Sequence, residues 1–374
     1  MNFELSEDSL MAREQARGFL RDNCGTASAR RVLEGREPYA AALWRQMAEL
    51  GWLGASIPEQ FGGAGLGYEL LCVLAEELGR VVAPVPFASS IYLAAEAVLA
   101  AGSNMQKGEW LPGIASGARI GTFAFDEGFG FPEVGSVRAH VSDCQLTGSK
   151  WPVPDGTIAD FAIVAARDSF GIGLYRVDLA QTSIERTVLD SIDPTRGYAR
   201  LIFNGADAQR LGEAADHALL LERLLERAAI MMSFEQLGGA EACLQMSREY
   251  ALERFAFGRP IASFQAIKHK LADIYVGIEI ARSHAYFGAW ALSHDDPMLS
   301  LAACSARVSA GEAFWVAAKE NIQIHGGAGF TFDYDCQLFY RRAKILSLAI
   351  GSTPFWSNRL VDRLELSMEK SDGL

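Results

Sequence analysis

A carboxylate set on an apolar stripe is the first residue of chemical interest in this 374-residue chain. Leu221, Leu225, Ala228, Met232, Glu235, Gly239, Ala242 and Met246 recur at alternating spacings of four and three, which is one face of a long helix. Glu235 is the charged member of that face. A carboxylate there is a candidate for acid–base chemistry, because burial raises its proton affinity towards working pH; alternatively, a basic residue or a neighbouring helix satisfies it, as is usual for charges on core faces. Arg254, near the C-terminal end of the same helix, can supply a fixed cation for an anionic ligand, or it can form a surface ion pair with Glu249 or Glu253. Gly326 and Gly327, and the glycines of the loop from Ile57 to Gly67, suit tight turns or close approach of backbone to a ligand. Other chemistries find little support. His140, His217, His269, His284, His294 and His325 lack metal-site spacing, there is no GxSxG nucleophile elbow, and no GxGxxG follows a strand.

These residues need elements to position them. Up to about Ser116 the pattern is helical, with Leu10 and Phe19, then Leu43, Met47 and Leu50, then Leu70, Leu74 and Leu78, punctuated by Gly and Pro. Between about Ile120 and Asn204 it changes to short runs rich in β-branched and aromatic residues at 121–125, 134–141, 161–166, 172–177 and 199–203. No helix-length segments lie between them, so they read as a compact β domain and not as βαβ units. From about Leu211 the chain is helical again. Gly258 and Pro260 stop the long helix, and Phe264, Ile267, Leu271, Ile274 and Ile278 mark the next one. The expected architecture is mainly α with a central β domain, divided at 1–117, 118–210 and 211–374.

Half of the residues are hydrophobic, 21% are charged, and the net charge is −12. That is globular composition without the basic field that nucleic-acid binding draws on. Six scattered cysteines show no CxxC pair and read as buried thiols in a reducing compartment. Glu4, Glu7 and Asp8 stand where a signal peptide would be basic and then apolar, and the uncharged stretch Val81–Ala95 is too short to span a bilayer. The expectation is a soluble, cytoplasmic protein with no membrane span and no nucleic-acid partner.

Two stretches carry a family resemblance. Tyr250-Ala-Leu-Glu-Arg254-Phe-Ala-Phe257-Gly258-Arg-Pro-Ile261-Ala-Ser-Phe264-Gln265 and Ile322-Gln323-Ile324-His325-Gly326-Gly327-Ala-Gly-Phe330-Thr331 closely resemble signatures of the acyl-CoA dehydrogenase family, and the resemblance extends over essentially the whole chain. It implies an N-terminal helical domain, a middle β-barrel or sandwich domain and a C-terminal four-helix bundle. It also implies FAD as cofactor and an acyl-CoA thioester as substrate, oxidised between Cα and Cβ, with electron-transfer flavoprotein or a similar acceptor. Arg254, Phe257, Gln265, Gln323 and Gly327 would form one FAD site across a dimer interface, joined by Ile261, Phe264, Ile324, Gly326, Ser352 and, from the β domain, Phe123 and Phe125.

Several positions depart from the family pattern. Where one common glutamate base follows Arg-x-Ala-Lys, this chain reads Arg341-Arg-Ala-Lys344 and then Ile350-Gly351-Ser352; where another subgroup carries its base on the long helix, it has Ala228. Glu235, seven residues after Ala228 and about 20° from the same helical face, is the candidate displaced base. In the flavin-facing loop, Pro152 stands for the ring-packing Trp and Pro154 for the Thr that meets the flavin, with Trp151 alongside. Asp126 to Pro132 replaces a Thr-Glu-Pro-Gly-Ala-Gly-Ser loop. The closing motif resembles the bacterial branch acting on bulky or steroid-derived acyl-CoA thioesters. Three functions follow: an FAD-dependent acyl-CoA dehydrogenase working as a homo-oligomer (dimer or dimer of dimers); a partner subunit that lacks the base and works in a heteromer with a paralogue; or a same-fold flavin oxidase or monooxygenase.

Overall fold

The computed structural model describes residues 6–128, 133–213 and 215–371, with side chains to residue 365. The first helices are α1 (Glu7–Asn23), α2 (Gly25–Leu33), α3 (Ala41–Glu49), α4 (Gly67–Arg80), a buried π-helix (Ala88–Ala95), α5 (Glu96–Ala101) and α6 (Asn104–Ala115). Local chemistry sets their ends: the Ser6 hydroxyl accepts from Ser9 N–H at 3.2 Å to cap α1, and Ser103 and Gln106 form a reciprocal capping box on α6. The helical spacing of the sequence is realised, although Leu10 and Leu50 face outwards.

Strands follow: β1 (Gly121–Ala124), β2 (His140–Ser142), β3 (Gln145–Pro154), β4 (Phe161–Asp168), β5 (Gly171–Asp178), β6 (Ile184–Leu189), β7 (Tyr198–Asp207) and β8 (Gln209–Arg210). They form one mixed sheet in the order β6-β7-β3-β2-β4-β5-β8, with β1 paired in parallel to β4. Three of these strands, β3, β6 and the two-residue β8, fall outside the runs rich in β-branched and aromatic residues. β6 is a charged, exposed edge strand without apolar alternation. β3 contains Gly148, Pro152 and Pro154, and its register with β7 breaks between Lys150 and Val153, where Pro152 needs no ladder bond. The strand expected over 134–141 forms only from His140, and Val134–Ser136 is a 3₁₀ turn. There the Glu127 carboxylate takes the N–H groups of Arg138 and Ala139, which a ladder would otherwise use.

The rest is helical: α7 (Ala218–Glu253), a two-stranded hairpin of β9 (Phe255–Ala256) and β10 (Arg259–Pro260), then α8 (Gln265–Ser293), α9 (Leu299–His325), α10 (Cys336–Leu346) and α11 (Thr353–Ser371). Long α9 packs against α8, α10 and α11. α7 is buried all round from Ala228 to Ala240, whereas Ala242 and Met246, at the far end of its stripe, are half-buried.

The chain divides into two compact units, one of Met1–Ala29, Cys72–Ala83 and Ala229–Leu374, the other of Arg30–Leu71 and Pro84–Ala228. Five of the six cysteines are buried as free thiols; Cys144 is exposed. The reason is its place at the tip of the β2–β3 hairpin, where Asp143 and Cys144 both have positive φ (51° and 61°). Among the described residues no helix is long and apolar enough to cross a membrane.

Candidate functional site

In the first unit Glu235 faces α10. Its Oε1 lies 3.2 Å from Nη1 of Arg342, and both side chains are 1% exposed. Arg342 also donates to the carbonyls of Ala83 (3.5 Å) and Val82 (3.4 Å) just beyond α4. The backbone geometry explains the crowding. A Cβ on Gly79 would sit 1.9 Å from the Glu235 carbonyl oxygen, and one on Gly238 would sit 1.8 Å from that of Glu76, so α4 and α7 cross in backbone contact that only glycine permits. Of the two roles open to Glu235, a buried ion pair is one that its side chain fills, with Arg342. Ala228, the other helix position, is a fully buried methyl group.

The sequence singled out neither Arg342 nor Arg307 for a role. Arg307 on α9 is 4% exposed and donates to the Gln236 side chain, to the Leu346 carbonyl and to the Ala349 carbonyl at 2.8 Å. It thereby clamps the turn that carries Ile350, whose φ of 51° is unusual for a β-branched residue. Arg342 had a visible signal, its place in Arg341-Arg-Ala-Lys344. A lone Arg amid the alanines of α9 gives none.

Five of the expected cofactor residues sit together at the end of α7. The Arg254 carbonyl accepts from Ile261 N–H at 2.8 Å, closing the β9–β10 hairpin, and Phe257 and Gly258 (φ 54° and 77°) make the two-residue turn at its tip. Phe257 is 95% exposed there, 6.2 Å edge-on from Phe264, over whose ring the Arg259 guanidinium lies at 4.2 Å. Ile261 is half-buried, and Gln265 is the exposed first residue of α8. Arg254 itself is exposed. Among the described residues its guanidinium makes no ion pair; Glu249 instead accepts from Gln245 at 2.9 Å.

The second set lies at the end of α9. Gln323 is exposed and Ile324 buried, and the chain turns through Gly326 (φ 60°) and Gly327, both exposed and with open space where a Cβ would be. His325 anchors this turn. Its Nδ1 lies 2.8 Å from the Asn321 carbonyl, so that nitrogen carries the proton, and its ring stacks 4.1 Å from Tyr250, one helical turn before Arg254. Burial pushes the His325 pKa down, opposed by that backbone hydrogen bond. Ser352 is half-buried just before α11, its carbonyl accepting from Trp356 N–H.

In the second unit Phe123 and Phe125 are buried, at 4% and 6% exposure. The Phe125 carbonyl accepts from the wholly buried Lys150 ammonium at 2.9 Å, and Glu127 pairs with the same ammonium at 2.8 Å. Burial pulls Lys150 down to about 8 against the pull of Glu127. Burial also pushes Asp126 up to about 6, with Lys150 acting the other way. The Pro154 carbonyl accepts from the Thr122 hydroxyl, and the Trp151 ring lies beneath the Arg200 guanidinium at 5.7 Å. Phe129, Gly130, Phe131 and Pro132 of the altered loop lie outside the described residues.

Comparison with known proteins decides the family. Residues 6–118 match the acyl-CoA dehydrogenase N-terminal domain, and residues 218–364 match the C-terminal domain. Acyl-CoA dehydrogenase IpdE2 of Mycolicibacterium smegmatis is 33% identical over 91% of this chain and 93% of its own. The chain belongs to the acyl-CoA dehydrogenase family. Acyl-CoA dehydrogenases of this family are oxidoreductases acting on the CH–CH group of acyl-CoA. The ChsE4–ChsE5 complex of Mycobacterium tuberculosis superposes with a TM-score of 0.88 at 28% identity, covering 98% of this chain and 99% of that one. The steroid ACAD Tcur3481–Tcur3483 superposes at 0.89 and 31%, covering 98% and 100%. The succession of helices, sheet and helices is that of the acyl-CoA dehydrogenase fold.

Proposed function

We propose that this chain is an FAD-binding acyl-CoA dehydrogenase subunit that acts on bulky, steroid-derived thioesters in the cytoplasm, within an oligomer, and passes electrons to an electron-transfer flavoprotein or similar acceptor. The observation that carries the cofactor assignment is Arg254, an exposed guanidinium that has no ionic partner among the described residues, at the end of a helix in a chain of net charge −12. Such a group fits a pyrophosphate. The open glycines Gly326 and Gly327 fit a ligand that comes close to backbone. Arg254, Phe257, Ile261, Phe264, Gln265, Gln323, Ile324, Gly326, Gly327 and Ser352 would hold FAD, and we assign Phe123 and Phe125 to the same cofactor. When bound, FAD supplies the hydride acceptor. Within the chain we assign a helical domain to residues 1–117, a sheet domain to 118–210 and a second helical domain to 211–374. The visible absorption spectrum of the purified protein tests the reading: oxidised-flavin bands at stoichiometric content are expected, and a colourless protein that cannot be loaded with FAD would refute it.

A second observation shapes the reading further. Removal of an α-proton needs a carboxylate free to take it. Ile350 and Ala228 are apolar, and Glu235 is held by Arg342. We therefore infer that Glu235 is structural and that the base comes from a paralogous subunit in a heteromer. The names of the ChsE4–ChsE5 and Tcur3481–Tcur3483 assemblies, each of two chains, support this.

A further inference from the structure

In the first unit, the two helix ends that carry the candidate cofactor residues are tied to each other by side chains the cofactor assignment does not use. Ser247 on α7 and Asn321 on α9 are fully buried, and the Ser247 hydroxyl donates to Asn321 Oδ1 at 2.9 Å. On the last turn of each helix, Tyr250 and His325 stack with ring centres 4.1 Å apart and planes 26° apart. Tyr334, just before α10, closes the cluster edge-on, 5.7 Å from His325 and 6.2 Å from Tyr250.

Both helices lead from this cluster into the residues assigned to FAD. Arg254 follows Tyr250 by one helical turn, its N–H donating to the Tyr250 carbonyl at 2.8 Å. Gly326 and Gly327 follow His325 at once, and the 3₁₀ turn they open folds back on it: a Cβ on Gly329 would lie 2.8 Å from that of His325. The ring cannot shift without disturbing that turn. Its Nδ1–H donates to the Asn321 carbonyl, so Nε2 is the unprotonated nitrogen, and among the described residues Nε2 has no hydrogen-bond partner. A second proton would place a charge without a protein acceptor on a residue only 5% exposed. The titratable side chains that face it are Tyr250 from α7 and Tyr334 from before α10. No carboxylate or cation among the described residues moves its proton affinity, which burial lowers and the Asn321 bond partly restores.

We propose that Tyr250 and His325 are positioning residues for the cofactor: their stack, with the imidazole neutral, presets the Arg254 end of α7 and the Gly326–Gly327 turn for FAD and makes FAD affinity depend on pH. This rests on the FAD reading. Both residues act through the backbone that follows them. Loss of one aromatic contact changes an equilibrium roughly two- to tenfold. The neutral ring is the one that makes the Asn321 bond, so affinity is full above the ordinary histidine value of about 6.5. It falls as pH drops towards the lowered value, by at most about tenfold per pH unit for one proton.

Fluorescence titration of the flavin-free full chain with FAD between pH 7.5 and 5, with thermal melts of the same samples, tests this. Tyr250→Phe keeps the stack and should bind as the parent does, whereas Tyr250→Leu should bind roughly two- to tenfold more weakly at pH 7.5. His325→Phe keeps a ring that takes no proton, so it should hold near-parental affinity and lose the pH dependence. Tyr250→Leu combined with His325→Gln should weaken binding no more than either change alone, because one contact is lost only once. A role confined to folding would lower the melting temperature and leave FAD affinity and its pH profile as in the parent. Full affinity in Tyr250→Leu, or the parental pH profile in His325→Phe, overturns the proposal and leaves the FAD reading standing; His325→Phe decides by itself where Tyr250→Leu does not fold. A parent that takes up no FAD at any pH overturns both.

Discussion

Glu235 and Arg342 form an ion pair between α7 and α10 with both side chains 1% exposed, and Arg342 continues from it to the carbonyls of Val82 and Ala83. A charge pair so deep gains little over an apolar pair, but removing one partner leaves the other charge stranded, at a cost of ~3 to 5 kcal/mol. Glu235→Ala is therefore expected to lower unfolding stability by about that amount in a denaturant titration, and the joint change Glu235→Leu with Arg342→Met should recover most of it. If Glu235→Ala were as stable as the unmodified chain, the pair would not hold α10 as described.

Arg254 leads to a different expectation because its side chain lies in solvent and, among the described residues, makes no ion pair. Arg254→Ala should leave the melting temperature of flavin-free protein unchanged while weakening FAD binding about tenfold or more, the equivalent of one charge-assisted bond to phosphate. Flavin fluorescence on serial dilution reads this directly. Equal retention by variant and parent would remove Arg254 from the cofactor site.

The sequence exposed some of this arrangement and hid the rest. Helices with strong periodicity were visible, as were β1, β4, β5 and β7, whose β-branched and aromatic runs are bounded by turn formers. The edge strand β6 was not, because a strand with one partner and a solvated face carries no apolar alternation. β3 escaped because its prolines sit at a register break, which only the paired strand reveals. The site divides in the same way. Arg254, Phe257 and Gly326 announce themselves through motif spacing, whereas the partners of Glu235 and Gln236, Arg342 and Arg307, lie 107 and 71 residues away along the chain. Contacts at such separations leave no local pattern.

His325 gives a pH dependence whose sign can be worked out. Its folded-state pKa is lowered by burial, so the unfolded chain binds the proton more readily. The stabilisation it contributes is present above the ordinary value of about 6.5 and is lost as pH falls towards the lowered value, at no more than ~1.4 kcal/mol per pH unit for one proton. Thermal melts between pH 7.5 and 5 should show this loss. His325→Gln should flatten the slope, since the variant has no proton to gain and its amide can still donate to the Asn321 carbonyl. An unchanged slope in the variant would place the acid sensitivity elsewhere, for example at His217, whose pKa burial also lowers.

The last expectation concerns whether the chain turns over by itself. Proton abstraction next to a thioester requires a carboxylate, and a base missing from its position typically lowers rate by ~10² to 10⁴-fold. Ile350 stands on a turn that remains firmly built, with Arg307 on the Leu346 and Ala349 carbonyls and Ser347 Oγ on the Lys344 carbonyl at 2.7 Å. What differs is the side chain, and a β-branched one is poorly suited to a φ of 51°. Reduction of an artificial electron acceptor with a bulky acyl-CoA should thus be near background for this chain alone and should appear on co-expression with the paralogue that supplies a glutamate. Ile350→Glu, which relieves a β-branched residue of positive φ while the clamp of Arg307 stays in place, should raise the activity of the chain alone by about 10² or more above that background. Strong turnover by the unmodified chain without a partner would show that it already carries its base, and Glu235→Gln would then be the first variant to assay, because a carboxylate paired with Arg342 would have to be released from that pair to act.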